Sequence, residues 1–153
     1  MSIEARLKSL GLELPPMPKA GGNYIPGTVH NGTLYLSGQG PMLEDGSFAT
    51  GIVGKDVTVE QANFHARRTG LVLLSAARHV LGSLDRVERV LSLLGMVNAV
   101  PGFGQQPQII NGCSDLFIEV FGENGRHARA AVGFGSLPNN ISVEITAIFA
   151  VSP

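Results

Sequence analysis

The C-terminal stretch HARAAVGFGSLPNNISVEITAIFAV, residues 127–151, contributes most to the fold prediction. It holds two strand-like runs around a turn-forming Leu-Pro-Asn-Asn at 137–140, a pattern typical of a hairpin. Each run carries one charge that an apolar strand does not need, Arg129 in the first and Glu144 in the second. The strand period of two puts Glu144 opposite the apolar residues Ile141, Val143, Ile145, Ala147 and Phe149. Pairing across the turn would place Arg129 and Glu144 near opposite ends of the hairpin, where they could flank a site for a small anionic ligand.

A second hairpin is predicted between residues 24 and 37. Asn31-Gly32 readily supplies the two positive φ angles of a type I′ turn, and the flanking residues have strand character. Ser37-Gly38-Gln39 ends the second strand, and the missing Cβ of Gly38 would let the backbone approach a ligand closely. The residues alone leave open the alternative that these glycines only shape a bulge or a turn.

Three C-terminal segments and one N-terminal motif carry a resemblance. The segments are Arg129-Ala130-Ala131-Val132, Leu137-Pro138 and Val143-Glu144-Ile145, and the motif is Ser37-Gly38-Gln39, preceded by Tyr24. Their order and spacing resemble the reactive intermediate deaminase family (RidA/YjgF, often labelled endoribonuclease L-PSP). The similarity extends from about Gly21 to Val151, so residues 1–22 are interpreted as an N-terminal extension of a divergent, longer branch.

The resemblance implies a chemistry and an assembly. Family members form trimers with ligand clefts between neighbouring copies, and they hydrolyse 2-imino or 2-enamino acids to 2-keto acids and ammonia. By this resemblance Arg129 would grip the substrate carboxylate and Glu144 would hold the attacking water. Gly38 and Ala131 would bound the pocket, and Tyr24 would close it from a neighbouring copy. No metal or other cofactor is implied.

Two other functions remain open. A non-catalytic module would use Arg129 to bind a keto acid or a similar carboxylate without releasing ammonia. The ribonuclease function is less favoured, because the net charge is −1 and only 6% of residues are aromatic, whereas RNA binding relies on basic patches and stacking. The residues alone also allow Arg129 to form a structural salt bridge, to Glu144 or to an acid of another copy.

Composition limits the class of protein. A chain of 153 residues predicts one domain, here spanning 1–153. Only 15% of the residues are charged and 44% are hydrophobic, so we expect another subunit to cover part of the surface. One cysteine indicates a reducing, cytoplasmic location, and no apolar run approaches the roughly 18 residues of a membrane span. We therefore expect a cytoplasmic homotrimer that binds neither nucleic acid nor membrane.

The remaining elements follow from periodicity and caps. They are a helix over Ser2–Leu10, an extended connector over Leu14–Gly22, a short strand over Phe48–Val53, a helix from Thr58 to Gly82, a buried strand over Arg86–Val100 and a helix from Ile109 to Phe121. A helix is the alternative for the first half of Arg86–Val100. His65 and His79 are interpreted as packing or surface residues, and Cys113 as a buried structural thiol.

The resulting order is β-β-β-α-β-α-β-β after a short N-terminal helix. This order predicts an α+β fold, a ferredoxin-like or chorismate mutase-like mixed sheet with two helices on one face.

Overall fold

The chain folds as a mixed sheet with a layer of helices. The computed structural model describes all residues from 1 to 153. The helices are α1 (Ile3–Ser9), α2 (Val59–Leu81) and α3 (Gln106–Phe121), and the strands are β1 (Gly27–His30), β2 (Thr33–Leu36), β3 (Val87–Asn98), β4 (Ala128–Phe134) and β5 (Val143–Val151). The expected α+β class is confirmed. None of the helices has the length and apolar character that crossing a membrane requires.

The strands form one sheet in the order β1-β2-β5-β3-β4. β3 pairs antiparallel with β5 on one side and parallel with β4 on the other. The hairpin considered for the C-terminal stretch is therefore wrong, because β3 lies between β4 and β5. α3 connects β3 to β4 as a crossover, and a crossover of this kind makes two strands parallel. The connection over residues 135–142 then carries the chain past the end of β3.

Asn98, the last residue of β3, holds this connection in place. Its side-chain nitrogen donates to Oδ1 of Asn140 at 3.0 Å and to the carbonyl oxygen of Ile141 at 3.1 Å. Asn139 and Asn140 have φ angles of 54° and 58°, a left-handed conformation that asparagine tolerates better than most residues. The Leu-Pro-Asn-Asn segment thus turns the chain across the end of β3.

The short strand expected over Phe48–Val53 is also wrong. The segment makes only isolated bridges, from Phe48 to Met42, from Thr50 to Ile141 and from Val53 to both Val57 and Ala99. Gly51 within it has a φ angle of 126°, which interrupts an extended run. The observed order is therefore β-β-α-β-α-β-β after α1. The strand expected over Arg86–Val100 is confirmed as β3, and the helical alternative for its first half is wrong.

α2 and α3 pack side by side on one face of the sheet. α2 begins with the expected capping box between Thr58 and Gln61, and it ends at Gly82 with a φ angle of 82°. A Cβ on Gly70 would lie 3.0 Å from the Cys113 sulfur, so the helices approach closely. Burial raises the pKa of the Cys113 thiol, which fits a packing role.

α1 is attached to the same helix layer. Leu7 is only 2% exposed, and a carboxylate oxygen of Glu4 lies 2.6 Å from Nη2 of Arg78 in α2. Nε of Arg6 donates to the carbonyl oxygen of Glu119 in α3 at 2.6 Å. The N-terminal helix therefore packs on its own chain.

The opposite side of the sheet, called here the open face, has no helix over it. Cross-strand partners share a face, and the pairs Tyr35–Ile148, Leu94–Thr146 and Val132–Met96 all belong to this side. The most exposed apolar side chains on it are Tyr35 at 47%, Phe134 at 42%, Val132 at 38% and Leu94 at 37%. Such a patch of apolar side chains is a surface that another chain can cover.

Candidate functional site

Arg129 lies on the edge strand β4 and points towards α3. Its register partner on β3 is the buried Leu93, so both side chains are on the helix side of the sheet. Nη1 of Arg129 donates to Oγ of Ser114 at 3.0 Å, and Nη2 donates to the carbonyl oxygen of Pro107 at 3.1 Å. Both acceptors are uncharged. Arg129 takes part in none of the ion pairs of the chain.

The guanidinium therefore has no ionic partner, and most of its donors are free. An arginine has five N–H groups, and the structure uses two of those of Arg129. A shallow pocket of about 210 Å³ lies beside it, lined by Asn111, Ser114, Asp115, Ile118, Arg126, His127 and Arg129. A half-buried guanidinium without an acid partner is well suited to bind a carboxylate through paired hydrogen bonds.

Ser114 and His127 complete the surroundings of Arg129, although neither belongs to the site residues that the sequence motifs predict. Nε2 of His127 lies 2.9 Å from Oγ of Ser114, and its Nδ1 lies 2.6 Å from the carbonyl oxygen of Gly125. Burial lowers the pKa of His127; the bond to Gly125 opposes this shift, and the charge of Arg129 adds to it. The strand period of two was the available signal, because it puts His127 and Arg129 on one face.

Glu144 and Gly38 lie together on the open face. Glu144 is the register partner of Met96 on β3, so it points away from the helices. A Cβ on Gly38 would be 2.8 Å from Oε2 of Glu144, which explains why a residue without a side chain stands there. Burial raises the pKa of Glu144, and its carboxylate bonds to no group of its own chain.

The other two predicted residues fall in different places. Ala131 is two positions after Arg129 on β4, is half-buried and pairs with Gly95 of β3, so it shares the helix side with Arg129. Tyr24 is 51% exposed in the segment before β1, and its hydroxyl accepts a bond from the backbone nitrogen of Gly21 at 3.1 Å. One chain thus holds two separate groups, Arg129 with Ala131 and Glu144 with Gly38.

A larger cavity lies elsewhere in the chain. Its volume is about 510 Å³, and it lies between the N-terminal connector, the turn after Met42 and the α2 residues Arg68 and Leu71. None of the five residues proposed from the sequence lines it. Size alone therefore does not identify the site.

Comparisons with known proteins agree with the motifs. The family model described as "YjgF/chorismate mutase-like, putative endoribonuclease" matches residues 4–151. Protein TCP17 of Trypanosoma cruzi is 40% identical over 147 residues, which cover 95% of this chain and 92% of that protein. The crystal structure of Atu1372 from Agrobacterium tumefaciens, a protein of unknown function, is 46% identical with a TM-score of 0.88 and covers 99% of this chain and 94% of its own.

A second crystal structure is similar over the whole chain. It is that of a "putative endoribonuclease" from Shewanella oneidensis, which is 32% identical with a TM-score of 0.94 and covers 99% of this chain and 100% of its own. The extent of the family match and the identity to these relatives together settle the classification. The chain belongs to the RidA/YjgF family.

Proposed function

We propose that the protein hydrolyses reactive 2-imino or 2-enamino acids to 2-keto acids and ammonia, with Arg129 gripping the substrate carboxylate. The observation that carries the proposal is the state of the Arg129 guanidinium. Two neutral acceptors hold it, no carboxylate forms an ion pair with it, and a pocket whose lining also includes Asp115 lies beside it. Membership of the RidA/YjgF family supports the reaction class.

The proposed site is shared between copies in a homotrimer. Arg129 and Ala131 of one copy would face Glu144 and Gly38 of the next, and Tyr24 of that neighbour would close the pocket. Two observations support this arrangement. The two groups are on opposite sides of the sheet within one chain. The open face also carries exposed apolar side chains, which a second copy would cover.

The chemistry needs only a held substrate and a held water. Water adds to the C=N carbon, its protons go to nitrogen, and cleavage of the C–N bond releases ammonia and leaves the keto acid. Glu144 would position the water and accept a proton from it. Burial raises the pKa of Glu144, which brings it closer to the working pH and makes it a better general base. The reaction requires no metal or other cofactor.

A non-catalytic carboxylate-binding role is the second candidate. One observation favours it: the pocket beside Arg129 is formed within a single chain, and Glu144 does not line it. In this case the protein would bind a 2-keto acid or a similar metabolite and leave the rate of imine hydrolysis unchanged.

The decisive assay generates 2-aminoacrylate in situ and follows pyruvate and ammonia. We expect wild type to accelerate hydrolysis and Arg129→Ala to lose about 100-fold or more in kcat/KM, because two charge-assisted hydrogen bonds disappear. Arg67→Ala is the matched control, since Arg67 forms an ion pair with Glu119 away from the site. Wild type that leaves the spontaneous rate unchanged contradicts the enzyme proposal for this substrate. Pyruvate binding that persists in wild type and is lost in Arg129→Ala would then favour the second candidate.

A further inference from the structure

Three consecutive hydrogen-bonded contacts form a chain beside Arg129. The carbonyl oxygen of Gly125 lies 2.6 Å from Nδ1 of His127, and Nε2 of that ring lies 2.9 Å from Oγ of Ser114. The same Oγ accepts from Nη1 of Arg129 at 3.0 Å. Helix α3 supplies Ser114, and the 3-10 turn before β4 supplies Gly125. Arg129 lies in β4, and His127 immediately precedes that strand.

Each hydrogen in these contacts has only one possible position when His127 is neutral. A carbonyl oxygen can only accept, so Nδ1 of His127 carries the proton and donates to Gly125. Nε2 is then an acceptor, and the hydroxyl hydrogen of Ser114 points to it. The lone pairs of Ser114 therefore face Arg129, whose guanidinium can only donate. Burial lowers the pKa of His127 and so supports the neutral ring.

This arrangement holds the guanidinium without neutralising it. An aspartate or glutamate at the position of Ser114 would bond Arg129 more strongly and would remove the charge that attracts an anion. A free serine hydroxyl would turn between alternative partners. The histidine removes that freedom, because it binds the hydroxyl hydrogen.

We infer that Ser114 and His127 are positioning residues for Arg129, which fix Nη1 while the carbonyl oxygen of Pro107 holds Nη2, so that the N–H groups left free face the carboxylate of the ligand. The inference rests on the proposed function, since it assigns these residues to the same carboxylate grip. Neither residue touches the reacting carbon in this account. Their effect is expected on substrate binding more than on the chemical step.

Nuclear magnetic resonance of wild type tests the arrangement without any ligand. We expect the nitrogen shifts of His127 to show the neutral Nδ1–H tautomer near neutral pH. We also expect the guanidinium of Arg129 to rotate slowly, so that its N–H groups give separate signals. These signals should merge in Ser114→Ala. The Nε2–H tautomer, or an Arg129 that rotates as freely in wild type as in Ser114→Ala, overturns the inference.

Binding and kinetics test the consequence, with pyruvate as the probe. Ser114→Ala should bind pyruvate about tenfold more weakly and raise KM with a much smaller change in kcat, whereas Ser114→Thr keeps the hydroxyl and should restore binding. Circular dichroism checks that both variants fold. Equal binding by wild type and a folded Ser114→Ala overturns the inference. Wild type that neither binds pyruvate nor accelerates hydrolysis contradicts the proposed function, and the resonance signals then still decide whether Ser114 and His127 hold Arg129.

Discussion

Arg129 and Glu144 lie on opposite sides of one sheet, although both belong to the same C-terminal motif. Arg129 is opposite Leu93 on β3 and Glu144 is opposite Met96, three positions further along that strand. Residues an odd number of positions apart in a strand point to opposite faces. The two side chains therefore cannot act on one small molecule within a single chain, and a cleft between copies is the arrangement that would bring them together.

Disrupting the open face should separate the copies while leaving the chain folded. Val132 is 38% exposed on the edge strand, so Val132→Asp leaves the core intact and introduces a charge into the proposed interface. We expect a smaller particle by light scattering together with loss of deaminase activity. Phe64→Asp is the matched control, because Phe64 is 53% exposed on α2 and away from the open face. A Val132→Asp protein of unchanged mass would argue against this interface.

The rate should fall in acid because of Glu144. A general base must be ionised, and burial raises the pKa of this carboxyl above its ordinary value of 4.5. Activity is therefore lost as the pH falls through that raised pKa, at a higher pH than for an exposed glutamate. The pH dependence of kcat measures this loss of activity. Glu144→Gln should remove most of the activity, and its residual activity should no longer fall in acid. A residual activity that falls in acid as in wild type would assign this fall to another group.

Gly38→Ala should impair activity more than stability. The new Cβ would lie 2.8 Å from Oε2 of Glu144, so the carboxylate has to move away from the water that it holds in the proposed mechanism. We expect a loss of about tenfold or more in kcat, since small displacements of a catalytic group are costly. Gly46→Ala is a control without any nearby atom to displace, although its positive φ carries its own strain. Full activity in Gly38→Ala would remove Gly38 from the site.

Replacing His127 with glutamine should make the fold less sensitive to acid. Burial lowers the pKa of His127 below its ordinary 6.5, so the unfolded chain binds this proton more readily than the folded chain. Stability is therefore lost as the pH falls from about 6.5 through the lowered folded pKa. Glutamine does not titrate, and the drop in Tm between neutral and acidic buffer should be smaller in His127→Gln. His65, whose pKa burial also lowers, is present in both proteins, so an equal drop would exclude His127 as the cause.

Sequence patterns predicted the elements better than their pairing. The capping box at Thr58 and Gln61 and the terminal Gly82 located α2, because these signals are local. The insertion of β3 between β4 and β5 depends on the crossover through α3, which no local pattern records. Ser114 was missed for the same reason. It meets Arg129 only because α3 packs on the edge strand, fifteen positions away in sequence.

The most direct test of the shared site mixes two inactive proteins. Arg129→Ala lacks the carboxylate grip and Glu144→Gln lacks the base, so each alone should stay near the spontaneous rate. In randomly mixed trimers made by co-expression at equal levels, a site is intact when the copy that supplies Arg129 and its neighbour that supplies Glu144 are both unaltered at that position. About a quarter of the sites then meet this condition, and about a quarter of the wild-type deaminase activity should return. Activity no higher than that of the two proteins assayed separately would contradict the shared site.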